Sequence, residues 1–143
     1  MSDEWYTPRE LFEALSTRFD LDVCAPDGGA PYVPADKFYT KEDDGLVSKW
    51  EGFVWMNPPY SKPKPWVDRW LDHGNGLALL PAAKSKWFDE LFATEARYTL
   101  LPATFKFISP EGDRISLMMA STLWAVGDTA VEILINSGIG KVR

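Results

Sequence analysis

The sequence predicts an α/β domain built on a mostly parallel sheet, with an antiparallel hairpin towards the C-terminus. Three observations carry this. Short apolar runs at residues 21–25, 53–56 and 77–80 alternate with stretches whose apolar residues fall at helical spacing. The first two runs are closed by turn chemistry, Pro26 to Gly29 after one and Pro58 and Pro59 after another. Later, three β-rich stretches at 98–101, 104–108 and 117–126 follow one another closely, as strands of a hairpin do.

Each element has its own warrant. Thr7, Pro8, Arg9 and Glu10 read as a capping box with proline at the first helical position, and Leu11, Phe12, Leu15 and Phe19 follow at helical spacing. A helix over 8–18 is the expectation. The run 21–25 reads as a buried strand ending in the turn Pro26, Asp27, Gly28, Gly29. Residues 30–49 read as polar and irregular, with the acidic cluster Glu42, Asp43, Asp44 ahead of Gly45 and Leu46. The strand at 53–56 stops abruptly, because two prolines can neither continue a helix nor donate to a sheet. Pro65, Trp66, Val67, Trp70 and Leu71 predict a short helix ending near Gly74, with His73 in its last turn, where a helix dipole favours it. A strand at 77–80 and a helical face of Trp87, Phe88, Leu91 and Phe92 follow.

Composition narrows the function. The chain has 143 residues, 45% hydrophobic and 14% aromatic, enough for a single domain over 1–143 with one core that any site must share. No run of about 18 apolar residues exists, and Met1, Ser2, Asp3 and Glu4 lack the basic stretch and apolar core of a signal peptide, so a soluble cytoplasmic protein without a membrane partner is expected. One cysteine and one histidine make neither an internal disulfide nor a Cys/His zinc site, and no metal is expected. A net charge of −6 opposes general binding of polyanions. Basic residues nevertheless gather at Lys62 and Lys64, Lys84 and Lys86, and Lys106 and Arg114, as a solvated face or as nucleic-acid contacts.

The loop Asn57, Pro58, Pro59, Tyr60 stands at the end of the strand over 53–56, where open α/β sheets bind ligands. Its residue types suit the handling of a planar amine. Adenine N6 is a poor nucleophile because its lone pair is delocalised into the ring, so methylating it requires the nitrogen to move from planar towards tetrahedral. The Asn57 side-chain oxygen and a backbone carbonyl of the Pro58/Pro59 segment can each accept one N6 hydrogen, which favours that geometry. Proline's fixed φ holds such carbonyls in place. The Tyr60 ring can stack on a base swung out of the duplex. A tight structural turn with an asparagine cap and an aromatic core residue is the competing reading.

Several further pieces fall in a fixed order around this loop: Trp5, Tyr6, Thr7, Pro8 with Leu11 and Phe12; Leu21, Asp22, Val23, Cys24, Ala25; Phe38, Tyr39, Thr40; Asp44, Gly45, Leu46 with Trp50; Ser61; and Leu79, Leu80, Pro81, Ala82 before Trp87 and Phe88. Together they resemble the small phage-type, Dam-like DNA N6-adenine methyltransferases over residues 5 to about 107. The resemblance implies an abbreviated Rossmann-like fold that uses S-adenosylmethionine, acting on double-stranded DNA in a bacterial cytoplasm for a bacteriophage or prophage. It implies that Asn57 to Tyr60 are catalytic and that Tyr6, Thr7 and Pro8 lie at the methionine end of the cofactor. Asp22, Cys24 and Ala25 would form the cofactor floor, and Asp44, with Gly45 and Leu46, would hold its nucleobase; Asp43 competes with Asp44 for that role. Of the clustered basic residues, Lys62, Lys84 and Lys86 are the candidate DNA contacts, with a solvated face as the alternative. The glycine-rich fingerprint of larger methyltransferases is absent, Gly28 and Gly29 being a partial stand-in. About eighteen residues separate Ala25 from Asp44, too few for a full helical crossover, so the cofactor half should be abbreviated.

Cys24 sits in a strand-like run and not in a Pro-Cys loop, which argues against a covalent cytosine-type nucleophile. The acceptor logic of the loop applies equally to an RNA base or a glutamine side chain, and a non-catalytic binding module would keep the same fold. Target sequence and oligomeric state, a homodimer included, stay open at this level.

Overall fold

The computed structural model describes residues 5–143; Met1 to Glu4, read above for the lack of a leader, lie outside them. Helix α1, Arg9–Leu15, buries Leu11, Phe12 and Leu15. The expected capping box does not form. Pro8 stays extended as the N-cap, with ψ 153°, so the helix starts one residue late and Glu10 falls a position short of the one that could reach back. Glu10 instead accepts two N–H groups of the Arg114 guanidinium, at 2.8 and 3.0 Å. The helix ends at Ser16, short of residue 18.

Strand β1 is Phe19–Asp22, earlier than the run at 21–25. Phe19 is drawn into the strand by its ring, stacked on Phe53 at 5.2 Å. At the other end Asp22 Oδ1 accepts the Cys24 backbone N–H, a local turn that takes the chain out of the ladder. Strand β2, Ala35–Phe38, lies in the stretch read as irregular. It is a largely exposed edge strand without an apolar alternation to announce it, and it exists because β1 pairs with it. Strand β3, Val54–Met56, and helix α2, Lys64–His73, follow the sequence reading closely, and the His73 ring nitrogen Nε2 meets the Gly52 carbonyl at 2.7 Å. Strand β4, Gly76–Pro81, is buried throughout. Helix α3 is Lys86–Leu91 and strand β5 is Arg97–Leu100. The expected strand over 104–108 shrinks to β6, Phe107–Ile108, which forms a hairpin with β7, Arg114–Ile115. Strand β8, Ser121–Val126, keeps only the second half of the stretch 117–126, and helix α4, Asp128–Asn136, lies beyond the last element read from sequence.

The main sheet has the order β2-β1-β3-β4-β8-β5. β2, β1, β3 and β4 pair in parallel, while β8 runs antiparallel to both β4 and β5. Five strands therefore point one way and β8 points back, which makes this a mixed α/β sheet that is mostly parallel. Alternation along the buried strands divides the core into two faces. Leu77, Leu79, Leu123 and Ala125 pack with α1 and α4 through Leu11, Phe12, Leu15, Ala130 and Leu134. Ala78, Leu80 and Trp124 pack with α2 and α3 through Val67, Trp70, Phe88 and Leu91.

Two connections position the site. Both crossovers, β1 to β2 and β2 to β3, are made without a helix, as the short spacing from Ala25 to Asp44 implied. The chain also steps from β1 outward to β2 and then returns past β1 to β3, which makes the β1/β3 boundary a topological switch point. Carboxyl ends of strands at such a point leave a crevice that ligands use. Among the described residues no helix is long and apolar enough to cross a membrane.

Candidate functional site

A cavity of about 410 Å³ opens over that switch point, within the size range of small-molecule sites. Its walls come from four segments: Trp5 to Thr7; Asp22, Cys24, Ala25 and Pro26 after β1, with Ala30; Lys41 after β2; and Trp55, Asn57 and Pro59 at the end of β3. Thr7 reaches this place because Tyr6 bridges to Ile108 of β6, with mutual N–H to carbonyl bonds of 2.8 and 2.9 Å.

The Asn57 side chain is held by its nitrogen. Nδ2 donates to the Trp5 carbonyl at 3.3 Å and to Thr7 Oγ1 at 3.5 Å. Among the described residues nothing donates to its Oδ1, so the amide presents an acceptor in the cavity wall. The two proline carbonyls differ. That of Pro59 receives the Lys62 backbone N–H at 3.3 Å, closing the turn, whereas no described donor reaches that of Pro58. The Asn57 amide oxygen is therefore the acceptor that the loop presents in the cavity wall, while the unpaired Pro58 carbonyl belongs to a buried residue outside the cavity lining.

Tyr60 does not line this cavity. Its half-buried ring stands edge-on to Phe107 at 6.4 Å, and its hydroxyl donates to the Leu79 carbonyl at 3.5 Å. Burial pushes the phenol above its ordinary pKa, so it stays protonated. Its evident role is to bolt the loop to β4 and β6.

Asp22 is 2% exposed at the cavity floor. Burial pushes its carboxyl up to about 7, and the Cys24 N–H draws it part of the way back down. Such a group is ready to ionise when a cation enters beside it.

The acidic loop after β2 stands apart. Asp44, Gly45 and Leu46 are not in the cavity wall, and their polar groups are spent locally. Asp43 Oδ2 accepts the Thr40 N–H at 2.9 Å, and Asp44, in the left-handed region at φ 53°, accepts the Leu46 N–H at 3.1 Å. Arg69 of α2 donates to the carbonyls of Gly45, Leu46 and Ser48 and lies over the Trp50 ring at 5.0 Å. Gly45 is pressed against the backbone after β1: a Cβ there would stand 2.1 Å from the Val23 carbonyl and 2.8 Å from the Trp66 ring. The loop braces the cavity floor from behind. The structure thus gathers Tyr6, Thr7, Asp22, Cys24, Ala25, Asn57 and Pro59 into one site, with Pro8 outside it as the cap of α1, and leaves Pro58, Tyr60 and Asp44 to Leu46 out of the cavity wall. Sequence reasoning passed over Lys41 and Trp55 as site residues. Lys41 lies in the stretch read as polar and irregular, and Trp55 sits inside a buried strand, so neither carried a signal.

Lys62, Lys84 and Lys86 are exposed and form no ion pair among the described residues, whereas Lys64 pairs with Asp68 at 2.9 Å. All three follow the carboxyl ends of β3 and β4, on the same edge of the sheet as the cavity.

Comparison with known proteins turns this geometry into a family assignment. The model of the family described as DNA N-6-adenine-methyltransferase (Dam) matches residues 1–129. The chain belongs to this Dam family. A DNA N-6-adenine-methyltransferase of Haemophilus phage HP1 (strain HP1c1) is 35% identical over 98 residues, which cover 61% of this chain and 55% of the relative. One of Escherichia phage T1 is 38% identical over 98 residues, covering 62% of this chain and 40% of the relative. The Dam-family chain therefore spans about half the length of the curated relatives it matches. No solved structure matches it.

Proposed function

We propose that this chain transfers a methyl group from S-adenosylmethionine to N6 of an adenine swung out of double-stranded DNA, in the cytoplasm of a bacterial host. The observation that carries the reading is the Asn57 amide, anchored through its nitrogen to Trp5 and Thr7 so that Oδ1 remains an acceptor beside Pro58 and Pro59.

The cavity suits the cofactor in size and in charge. Asp22 and the walls of Trp5, Tyr6, Cys24, Ala25, Pro26 and Ala30 would hold it, with the carboxylate near its cationic end and Lys41 near its carboxylate. S-adenosylmethionine, when bound, supplies an electrophilic methyl carbon on a sulfonium. The remaining chemistry belongs to the loop. Asn57 Oδ1 and the Pro58 carbonyl each accept one N6 hydrogen, pulling both out of the plane of the base and directing the lone pair away from them. As the nitrogen gains its new bond it becomes cationic, and the same two oxygens stabilise that charge before one proton is released to solvent. Their rigidity matters because no reorganisation is needed as the charge develops. The fold is then an abbreviated Rossmann-like methyltransferase fold, a reading supported by the switch-point cavity and by the helix-free crossovers.

The test is incorporation of tritium from labelled cofactor into DNA, RNA and protein offered separately. Label is expected in DNA, and Asn57→Ala is expected to lower the rate about a hundredfold or more while still binding cofactor in a calorimeter. Label in RNA or protein alone would overturn the choice of substrate, and undiminished transfer by the alanine variant would overturn the role of the amide.

A further inference from the structure

Between β7 and β8 the chain carries two methionines that the core does not use, next to Leu117, which packs against it. Met118 is fully exposed, at 105% of its reference area, and Met119 is 46% exposed. This short segment is fixed at its far end, where the Ala120 carbonyl accepts the Ala82 N–H at 2.8 Å just past β4. Leu117, Met118 and Met119 share a cavity of about 240 Å³ with Phe105 and Phe107. The Phe107 ring is also the one that meets Tyr60. One aromatic ring thus separates the two methionines from the Asn57 to Tyr60 loop.

The surroundings indicate what kind of partner this patch fits. Lys62, Lys84, Lys86 and Lys106 are exposed, lack ion pairs among the described residues, and follow the carboxyl ends of β3, β4 and β5. The methionines precede β8, whose first residue Ser121 pairs with Pro81 at the carboxyl end of β4, so they lie on that same edge; in a chain of net charge −6, unpaired lysines and an apolar patch on one edge complement a polyanion with an apolar interior. Stacked duplex DNA has that character, with phosphates outside and base faces within. Proteins that open base steps use apolar side chains as wedges and bear the unstacking energy through added contacts. Methionine, unbranched and polarisable, adapts to such a gap.

We propose that Met118 and Met119 form a wedge that enters duplex DNA beside the target adenine and fills the space the base leaves. The proposal rests on the reading of the chain as a DNA methyltransferase. The wedge holds the duplex open while the neighbouring lysines grip the backbone on either side. It acts on the opening of the helix and not on the methyl transfer itself, so it should matter on duplex DNA more than on a single strand, whose bases are already free to leave the stack.

The experiment compares tritium transfer to genomic DNA lacking adenine methylation, as duplex and after heat denaturation with rapid chilling. The wild type is set against Met118→Gln with Met119→Gln, and against Met118→Leu with Met119→Leu. The glutamine variant should lower the ratio of duplex to single-strand rates about tenfold or more, since opening a step costs a few kcal/mol. The leucine variant, which keeps apolar bulk, should hold the ratio within about threefold of wild type. A glutamine variant with an unchanged ratio, or a leucine variant that fails as the glutamine one does, overturns the wedge. A wild type that labels neither form overturns the methyltransferase reading and the wedge with it. Both methionines are exposed, and an unchanged melting temperature verifies that the fold is retained.

Discussion

Replacing Asp22 by asparagine isolates what it costs to bury a carboxyl at the floor of the cavity. Burial moves this group from 3.8 to about 7. At about 1.36 kcal/mol per pH unit, that gap corresponds to about 4 kcal/mol. The sign follows from the protons each state holds. Below 3.8 the folded and unfolded chains are both protonated at this position, and the group leaves stability unaffected. Between 3.8 and about 7 the unfolded chain has released the proton while the folded one keeps it, so stability falls as pH rises. Above about 7 the folded chain releases it too, and the loss is complete. Asparagine does not titrate and can still accept the Cys24 N–H. Asp22→Asn should therefore melt close to wild type at low pH and progressively higher as pH increases. With roughly 2–4 °C per kcal/mol for a domain of this size, the difference should approach about 10 °C in mildly alkaline buffer. Circular dichroism melts across the range measure it. Parallel melting profiles for the two proteins would refute the claim that this carboxyl is buried at a cost. The same variant should bind S-adenosylmethionine about tenfold more weakly by calorimetry, because the cofactor's cationic end loses its counter-charge. Greater stability with weaker binding is the trade expected of a functional site.

The other predictions concern the brace and the basic edge. Gly45→Ala places a Cβ against the Val23 carbonyl and the Trp66 ring; it should cost about 1–3 kcal/mol in denaturant titrations and weaken cofactor binding as the floor shifts, and an unaltered midpoint would show that the approach is not tight. Lys84→Gln with Lys86→Gln should make the salt dependence of duplex binding shallower by about 0.9 in the log–log slope for each phosphate no longer neutralised. Fluorescence anisotropy over a salt series reads that slope, and an unchanged value would remove both lysines from the DNA interface.

What the sequence determined by itself was local chemistry. The proline pair had to end β3 and hold its carbonyls, Asn57 had to present an amide there, and the apolar periods at α2, β3 and β4 had to make a helix between two buried strands. The ordered set of short motifs carried the family. Tertiary structure decided what depends on distant partners. β2 is a strand because β1 offers it a ladder, and Glu10 faces Arg114, 104 positions away, where a local cap was read. Asp44 and Asp22 look alike in sequence, yet one caps an exposed turn and the other lies at the floor of a cavity. The reason is physical: turn chemistry is written within a few residues, whereas burial and the walls of a cavity are set by segments that meet only when the chain folds.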